Sequence, residues 1–392
     1  MTSGALQGVR VVDLTDERAI YGAKLLADLG ADVVRPEPPE GDPLRARGPY
    51  MDDAPGETGS LWHAFFASSR RFFAVDPGTE AGAAQLGLLI DRADIVLANT
   101  GAFAVEEAQL DDACARRPEL VLVEVSSFGP DGPWSDYLAP DLVAGALGGA
   151  VATTGDADTP PLKAFGELNF MVSGAYAAIA ALAGFNCVRR TGVGQRIHVP
   201  VHECIASALE HVFMWHWYQD QIGLANKPVL ERRGSLHWTN AYQVMGADAG
   251  AVMVTPIPDL DGQLVWLLER GLGEELLDPR LQLPEHRREL LDRLMDTLRE
   301  WVASEDPEAL FLEAQSRHLP YGHVKRLDEV ADNAHLAARG WWESYPVDDE
   351  RAVRGPGAPY RFSGTPWSLG SHGDADRDTD AILDEIGWED GR

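Results

Sequence analysis

Cysteine is scarce: three thiols in 392 residues, Cys114, Cys187 and Cys204, an odd number with no framework spacing. A disulfide scaffold is not expected, and a reducing compartment, the cytoplasm, is. Lysine is nearly as scarce, four residues against 29 arginines. With 62 acidic residues against 33 basic ones the formal net charge is -29. Such a surface repels phosphate backbones and anionic membranes, so neither nucleic acid nor membrane is expected as a partner. The first residues show no basic segment followed by an apolar run, and no stretch of 18 uncharged apolar residues is expected. No G-x-G-x-x-G follows a strand pattern, and Walker A and G-x-S-x-G sequences are missing. His202, His211 and His216 are spaced nine and five apart, not as the i, i+4 pair of a metal site, and no metal is expected.

What is present is an ordinary globular balance, 45% apolar and 24% charged, enough for a normal core. Short apolar runs at 9–14, 32–35, 72–75, 95–98 and 120–125 read as buried strands. Helical patterns at 20–29, 80–93 and 106–116 separate them, and this alternation argues for a parallel sheet covered on both faces. The small-residue run 170–188 reads as a buried helix, 195–200 as a strand and 201–218 as one long helix. Residues 221–240 lose periodicity and read as a linker. A smaller α+β domain follows at 241–344, a returning linker at 345–377, and a short helix at 378–392 that completes the first domain, 1–220.

Open α/β sheets bind ligands at the carboxyl ends of their strands, and arginine forks suit phosphates. Arg35, Arg45, Arg47, Arg70 and Arg71 fall in or near such loops. The residues by themselves lead to a doubly wound α/β protein with a second lobe and room for an anionic nucleotide.

The order of motifs says more. Val11-Val12-Asp13-Leu14-Thr15 precedes Leu25-Leu26-Ala27-Asp28-Leu29-Gly30-Ala31-Asp32-Val33-Val34, then Glu37-Pro38-Pro39-Glu40-Gly41-Asp42-Pro43-Leu44-Arg45. Ser69-Arg70-Arg71, Ala93-Asp94-Ile95-Val96 with Asn99, and Phe128-Gly129-Pro130-Asp131-Gly132-Pro133 before Asp141 follow in turn. Thr191-Gly192-Val193-Gly194-Gln195 and Asp380-Ala381-Ile382-Leu383-Asp384-Glu385-Ile386-Gly387 complete the series. Across essentially the whole chain this resembles the family III acyl-CoA transferases, the group of carnitine, formyl-CoA and α-methylacyl-CoA enzymes. The resemblance implies a Rossmann-like large domain, a small domain, long linkers and a homodimer interlocked as two rings. It implies coenzyme A thioester as substrate rather than a tightly bound cofactor. Carried over by position, Arg35, Arg70, Arg71, Asn99, Phe128 and Gly129 become the CoA-binding candidates.

In that family an aspartate four residues before a glycine attacks the acyl-CoA and forms a mixed anhydride. Here the glycine is Gly174, and the aspartate position falls on Phe170. Glu167 is the nearest carboxylate. Asp141 matches a further family aspartate, but Pro140 stands where the racemase branch has its histidine. Three readings follow from the resemblance: the non-nucleophilic subunit of a hetero-oligomeric transferase with an Asp-bearing paralogue, a lyase, hydrolase or isomerase with new chemistry on acyl-CoA, or transfer through Glu167.

Overall fold

The computed structural model describes residues 4–51, 59–99, 107–156, 158–218, 220–221, 241–256, 259–348, 350–370 and 372–388. The expected linker at 221–240 lies, from residue 222 on, outside the described residues. The chain divides into two compact units. The larger comprises 1–150, 163–210 and 335–392, the smaller 151–162 and 211–334.

The large unit begins with β1 (Arg10–Leu14), α1 (Ile20–Asp28), β2 (Asp32–Glu37), α2 (Leu61–Phe66), β3 (Arg71–Ala74), α3 (Glu80–Ile90), β4 (Ile95–Asn99), α4 (Glu107–Arg116) and β5 (Val121–Ser126). It continues with α5 (Asp141–Leu147), α6 (Leu168–Thr191), β6 (Gln195–Pro200) and α7 (Val201–Ser207). The six strands form one parallel sheet, ordered β3-β2-β1-β4-β5-β6. Successive side chains of a strand point to opposite faces. Val11, Ile95, Val121 and Val123 thus pack with Ala23 and Leu26 of α1 and Ala177 and Ala181 of α6. Their neighbours Val12, Val96 and Leu122 pack on the other face with Leu86 of α3 and Leu110 of α4. Burial on both faces is why these strands read as continuous apolar runs.

Helix α6 crosses α1 at bare backbone: a Cβ on Gly174 would lie 2.9 Å from the Gly22 nitrogen, and one on Gly22 would lie 2.5 Å from the Gly174 carbonyl oxygen. Helix α6 also corrects one expectation. By length and composition alone it could cross a membrane. Its glycine and alanine side lies against α1 and β5.

The helix expected at 201–218 is two helices, α7 and α8 (Glu210–Tyr218). The Ala208 amide closes α7 by donating to the carbonyls of both Cys204 and Ile205. Beyond α8 come β7 (Gln243–Ala247), β8 (Gly250–Val254), α9 (Leu260–Glu269), α10 (Arg287–Val302), α11 (Pro307–Ser316), β9 (Gly322–His323) and α12 (Leu327–Ala331). An antiparallel sheet β7-β8-β9 backs a core of Trp266, Leu294, Leu298 and Trp301.

At α13 (Ala334–Ala338) the chain re-enters the large unit and continues through β10 (Glu343–Pro346) and β11 (Ala352–Gly355), an antiparallel pair. The linker expected at 345–377 therefore carries a hairpin. It is pinned by buried Tyr345, whose hydroxyl donates to the Pro356 carbonyl at 2.6 Å. Helix α14 (Thr379–Ile386) then places Ile382 and Ile386 in the core shared by α3 and α4.

Candidate active site

An acid in the apolar run of β1 needs a partner, and Asp13 finds three. Arg70 donates to it at 2.7 Å, Arg35 stands at 3.0 Å and the Thr15 hydroxyl donates at 2.6 Å. Burial alone would push the Asp13 carboxyl up; the two guanidinium charges and Thr15 outweigh it and hold the group below the usual carboxylate range. Arg70 is enclosed, its other N–H groups donating to the carbonyls of Phe66, Ser68 and Ile20. Arg35 lies within β2 and donates to the Thr15 carbonyl and to Asp42. Arg45 forks onto Glu37 at 2.7 and 2.9 Å. Arg71 opens β3, and Asp32 and Glu385 hold its guanidinium. These arginines join strands, loops and the C-terminal helix to one another. They form no single basic patch with Asn99, since each is already met by a carboxylate.

Asn99 ends β4, beside the point where the strand order reverses between β1 and β4. Its Oδ1 accepts from the Asp16 amide at 2.8 Å and its Nδ2 donates to the Val125 carbonyl at 2.8 Å. It thus fixes the loop after β1 against β5. After β5, the Phe128 ring packs on Trp134, Tyr137 and His202. Gly129 adopts φ +97°, a left-handed turn its missing Cβ permits. Asn99, Ser126 and Gly129 line a cavity of about 290 Å³ together with Glu107, Glu124, Asp136, Arg196 and His198. Arg196 is engaged there by Glu124, Asp111 and Glu107. Carboxylates outnumber it, so this cavity offers no phosphate a net positive field.

The start of α6 gathers the other candidates. Phe170 is 4% exposed and belongs to the apolar core beside α1 and the sheet. Its amide donates to Asp141 Oδ1 at 3.1 Å, and Asn169 Nδ2 donates to Asp141 Oδ2 at 3.0 Å. Lys163 pairs with the same carboxylate at 3.2 Å. Asp141 is thus an acceptor at the N-terminus of a 24-residue helix, where free amides and the helix dipole favour an anion. Glu167, the residue before α6, pairs with Arg47. The Arg47 guanidinium lies 4.4 Å from the centroid of the Trp62 ring. Arg47 was visible in the sequence as one loop arginine among several. Its partner is 120 residues away, and no local pattern announces the pair.

Among the described residues one group has metal-ligating geometry: Glu37, Asp42 and His63, with ligand atoms within 4.8 Å of one another. Arg45 occupies Glu37 and Arg35 occupies Asp42. With both carboxylates neutralised, this set does not fit a cation. His63 Nδ1 instead faces His372 Nε2 at 2.9 Å.

Known proteins resemble this chain along nearly all of its length. The sequence pattern of CoA-transferase family III matches residues 6–372. A formyl-CoA:oxalate CoA-transferase of Streptomyces avermitilis is 28% identical, covering 94% of this chain and 91% of its own. The succinyl-CoA:(R)-benzylsuccinate CoA-transferase subunit BbsE of Thauera aromatica is 29% identical over 92% and 89% of the two chains. A crystal structure of a CAIB/BAIF family protein from Brucella suis superposes with a TM-score of 0.80 at 26% identity. It covers 98% of this chain and all of that one. The matched span runs from before β1 to the return of the chain beside β3, and this chain belongs to CoA-transferase family III.

Proposed function

We propose that this chain is a divergent CoA-transferase-like protein acting on acyl-CoA and carboxylic acids, and that it serves as the non-nucleophilic subunit beside an Asp-bearing homologue. The observation that carries this reading is Phe170. An aromatic ring has no nucleophilic oxygen, and here it fills the core at the start of α6, the position at which the family resemblance calls for the aspartate. Racemisation finds no support either, because Asp141 caps α6 and Pro140 precedes it. That one similar protein, BbsE, is named as a subunit supports the hetero-oligomeric form. Coenzyme A thioester enters as substrate, not as a resident group. The strand order of the sheet supports a Rossmann-like description of the large unit. Its reversal beside Asn99 favours the loops after β1, β4 and β5, with Asn99, Phe128 and Gly129, as the place where the uncharged arm of CoA docks, its phosphates lying outside the acidic cavity. The three free cysteines support a reducing, cytoplasmic setting.

The test uses the purified chain alone and co-expressed with an Asp-bearing family member from the same genome. Calorimetry is expected to show CoA binding to the chain alone, without CoA transfer between acyl-CoA and carboxylic acids. Transfer is expected to appear in the co-purified pair. Turnover by the chain alone, with hydroxylamine trapping an acylated peptide that contains Glu167, would overturn the subunit reading in favour of Glu167 as nucleophile. Conversion of acyl-CoA by the chain alone without transfer would establish new chemistry on this fold.

A further inference from the structure

We infer that Arg47 reads a free carboxylate on the acyl group of the substrate, so that the ligands preferred at the start of α6 are CoA thioesters of dicarboxylic acids. This rests on the CoA-transferase-like reading above and names its substrate class.

Three observations set Arg47 apart from the other arginines near the sheet. Arg35, Arg45 and Arg70 are buried and held by Asp13, Glu37, Asp42 and main-chain carbonyls. The Arg47 side chain keeps 31% of its surface exposed, and one Nη atom meets Glu167. The planar guanidinium, over Trp62, retains N–H groups able to fork onto an incoming carboxylate, a geometry lysine cannot reproduce. The loop that carries it is fixed. The Ser60 hydroxyl donates to the Arg47 carbonyl at 2.5 Å, and the Leu61 amide donates to the Pro49 carbonyl at 2.9 Å.

Its location supplies the chemistry. Glu167 leads directly into α6, three residues before Phe170, so the guanidinium stands beside the helix start at which an acyl group would be handled. An ion pair this exposed contributes little to folding, so an incoming carboxylate can share the guanidinium at little cost to stability. In this assignment Glu167 holds one corner of the fork and competes for it. A substrate carboxylate takes the N–H groups that Glu167 leaves free, adding one Arg–carboxylate contact against the repulsion of the Glu167 charge. No bond is made or broken. A monocarboxylic acyl chain cannot make that contact and gains nothing from Arg47.

Calorimetric titration of CoA, butyryl-CoA and succinyl-CoA into wild type, Arg47→Gln and Glu167→Gln tests this. Wild type is expected to bind succinyl-CoA about tenfold tighter than butyryl-CoA, the size of one charge-assisted contact. Arg47→Gln should erase that ratio while CoA itself binds as before. Glu167→Gln should enlarge the ratio severalfold, because the competing carboxylate is gone. Equal binding of succinyl- and butyryl-CoA by wild type, or an unchanged ratio in Arg47→Gln, overturns this assignment and leaves the CoA reading standing. Failure of all three ligands to bind wild type overturns the CoA reading and this assignment with it. Should Arg47→Gln not fold, Arg47→Lys keeps the charge but loses the planar fork; a wild-type ratio in that variant also counts against the assignment.

Discussion

Replacing Asp13 by asparagine removes the carboxylate that Arg35 and Arg70 share in the middle of the sheet. Both guanidinium groups are enclosed, so the change strands positive charge where water cannot reach it. Breaking a buried pair from one side costs about 3–5 kcal/mol. Asp13→Asn is therefore expected to lower the denaturant midpoint by a corresponding amount, with its slope unchanged. A midpoint equal to that of wild type would show that the network relaxes to water. The acid was legible as a charge inside Val11-Val12-Asp13-Leu14. Which arginines answered it was not, because Arg70 is 57 positions away and reaches Asp13 only once β3 is in place beside β2.

Helices α1 and α6 approach so closely that neither tolerates a side chain at the crossing. Gly174→Ala would bring its methyl against backbone rather than a mobile side chain, and overpacking of that kind costs about 1–3 kcal/mol. Thermal unfolding should report the loss, and Gly87→Ala, which meets open space within 4 Å, should not show it. A second element-scale expectation concerns the return of the chain. His63 of α2 and His372 before α14 are buried together, against Arg45, Arg35, Arg70 and Arg377 and close to Glu37 and Asp42. Burial, reinforced by Arg45, lowers both imidazoles, and His372 is pushed down to about 4. The folded state therefore keeps them neutral while the unfolded chain takes up protons near 6.5. Their contribution is present above that value and is lost as the pH falls. For His372 the loss between pH 7 and pH 5 is about 2 kcal/mol. His372→Gln should flatten the pH dependence of the unfolding free energy in that window. A slope identical to wild type would remove the pair from the acid response.

At the scale of the molecule, apolar surface on the large unit awaits explanation. Ile179 of α6 is 62% exposed, and Tyr176 on the same helix and Leu142, Val143 and Leu147 of α5 are exposed as well. Exposed apolar residues in number mark association surfaces. Together with the interlocked dimer that the family resemblance implies, this leads to an expectation: the chain is at least dimeric, and dilution to nanomolar concentration does not dissociate it. Ile179→Glu should weaken assembly in light scattering without unfolding the large unit; monomeric wild-type protein would sink the expectation. The amino-acid sequence by itself determined the strand–helix alternation, since buried parallel strands are apolar on both faces and need no distant partner to be recognised. It also determined, through motif order, the family. Only the tertiary structure decided which arginines are struts and which is open. The letters of Arg35, Arg45, Arg47 and Arg70 are alike, but a guanidinium is buried or available according to where the chain brings Asp13, Glu37 and Glu167. It likewise decided the β10–β11 pair and the break between α7 and α8, where hydrogen bonding and packing acted on stretches with no period of their own.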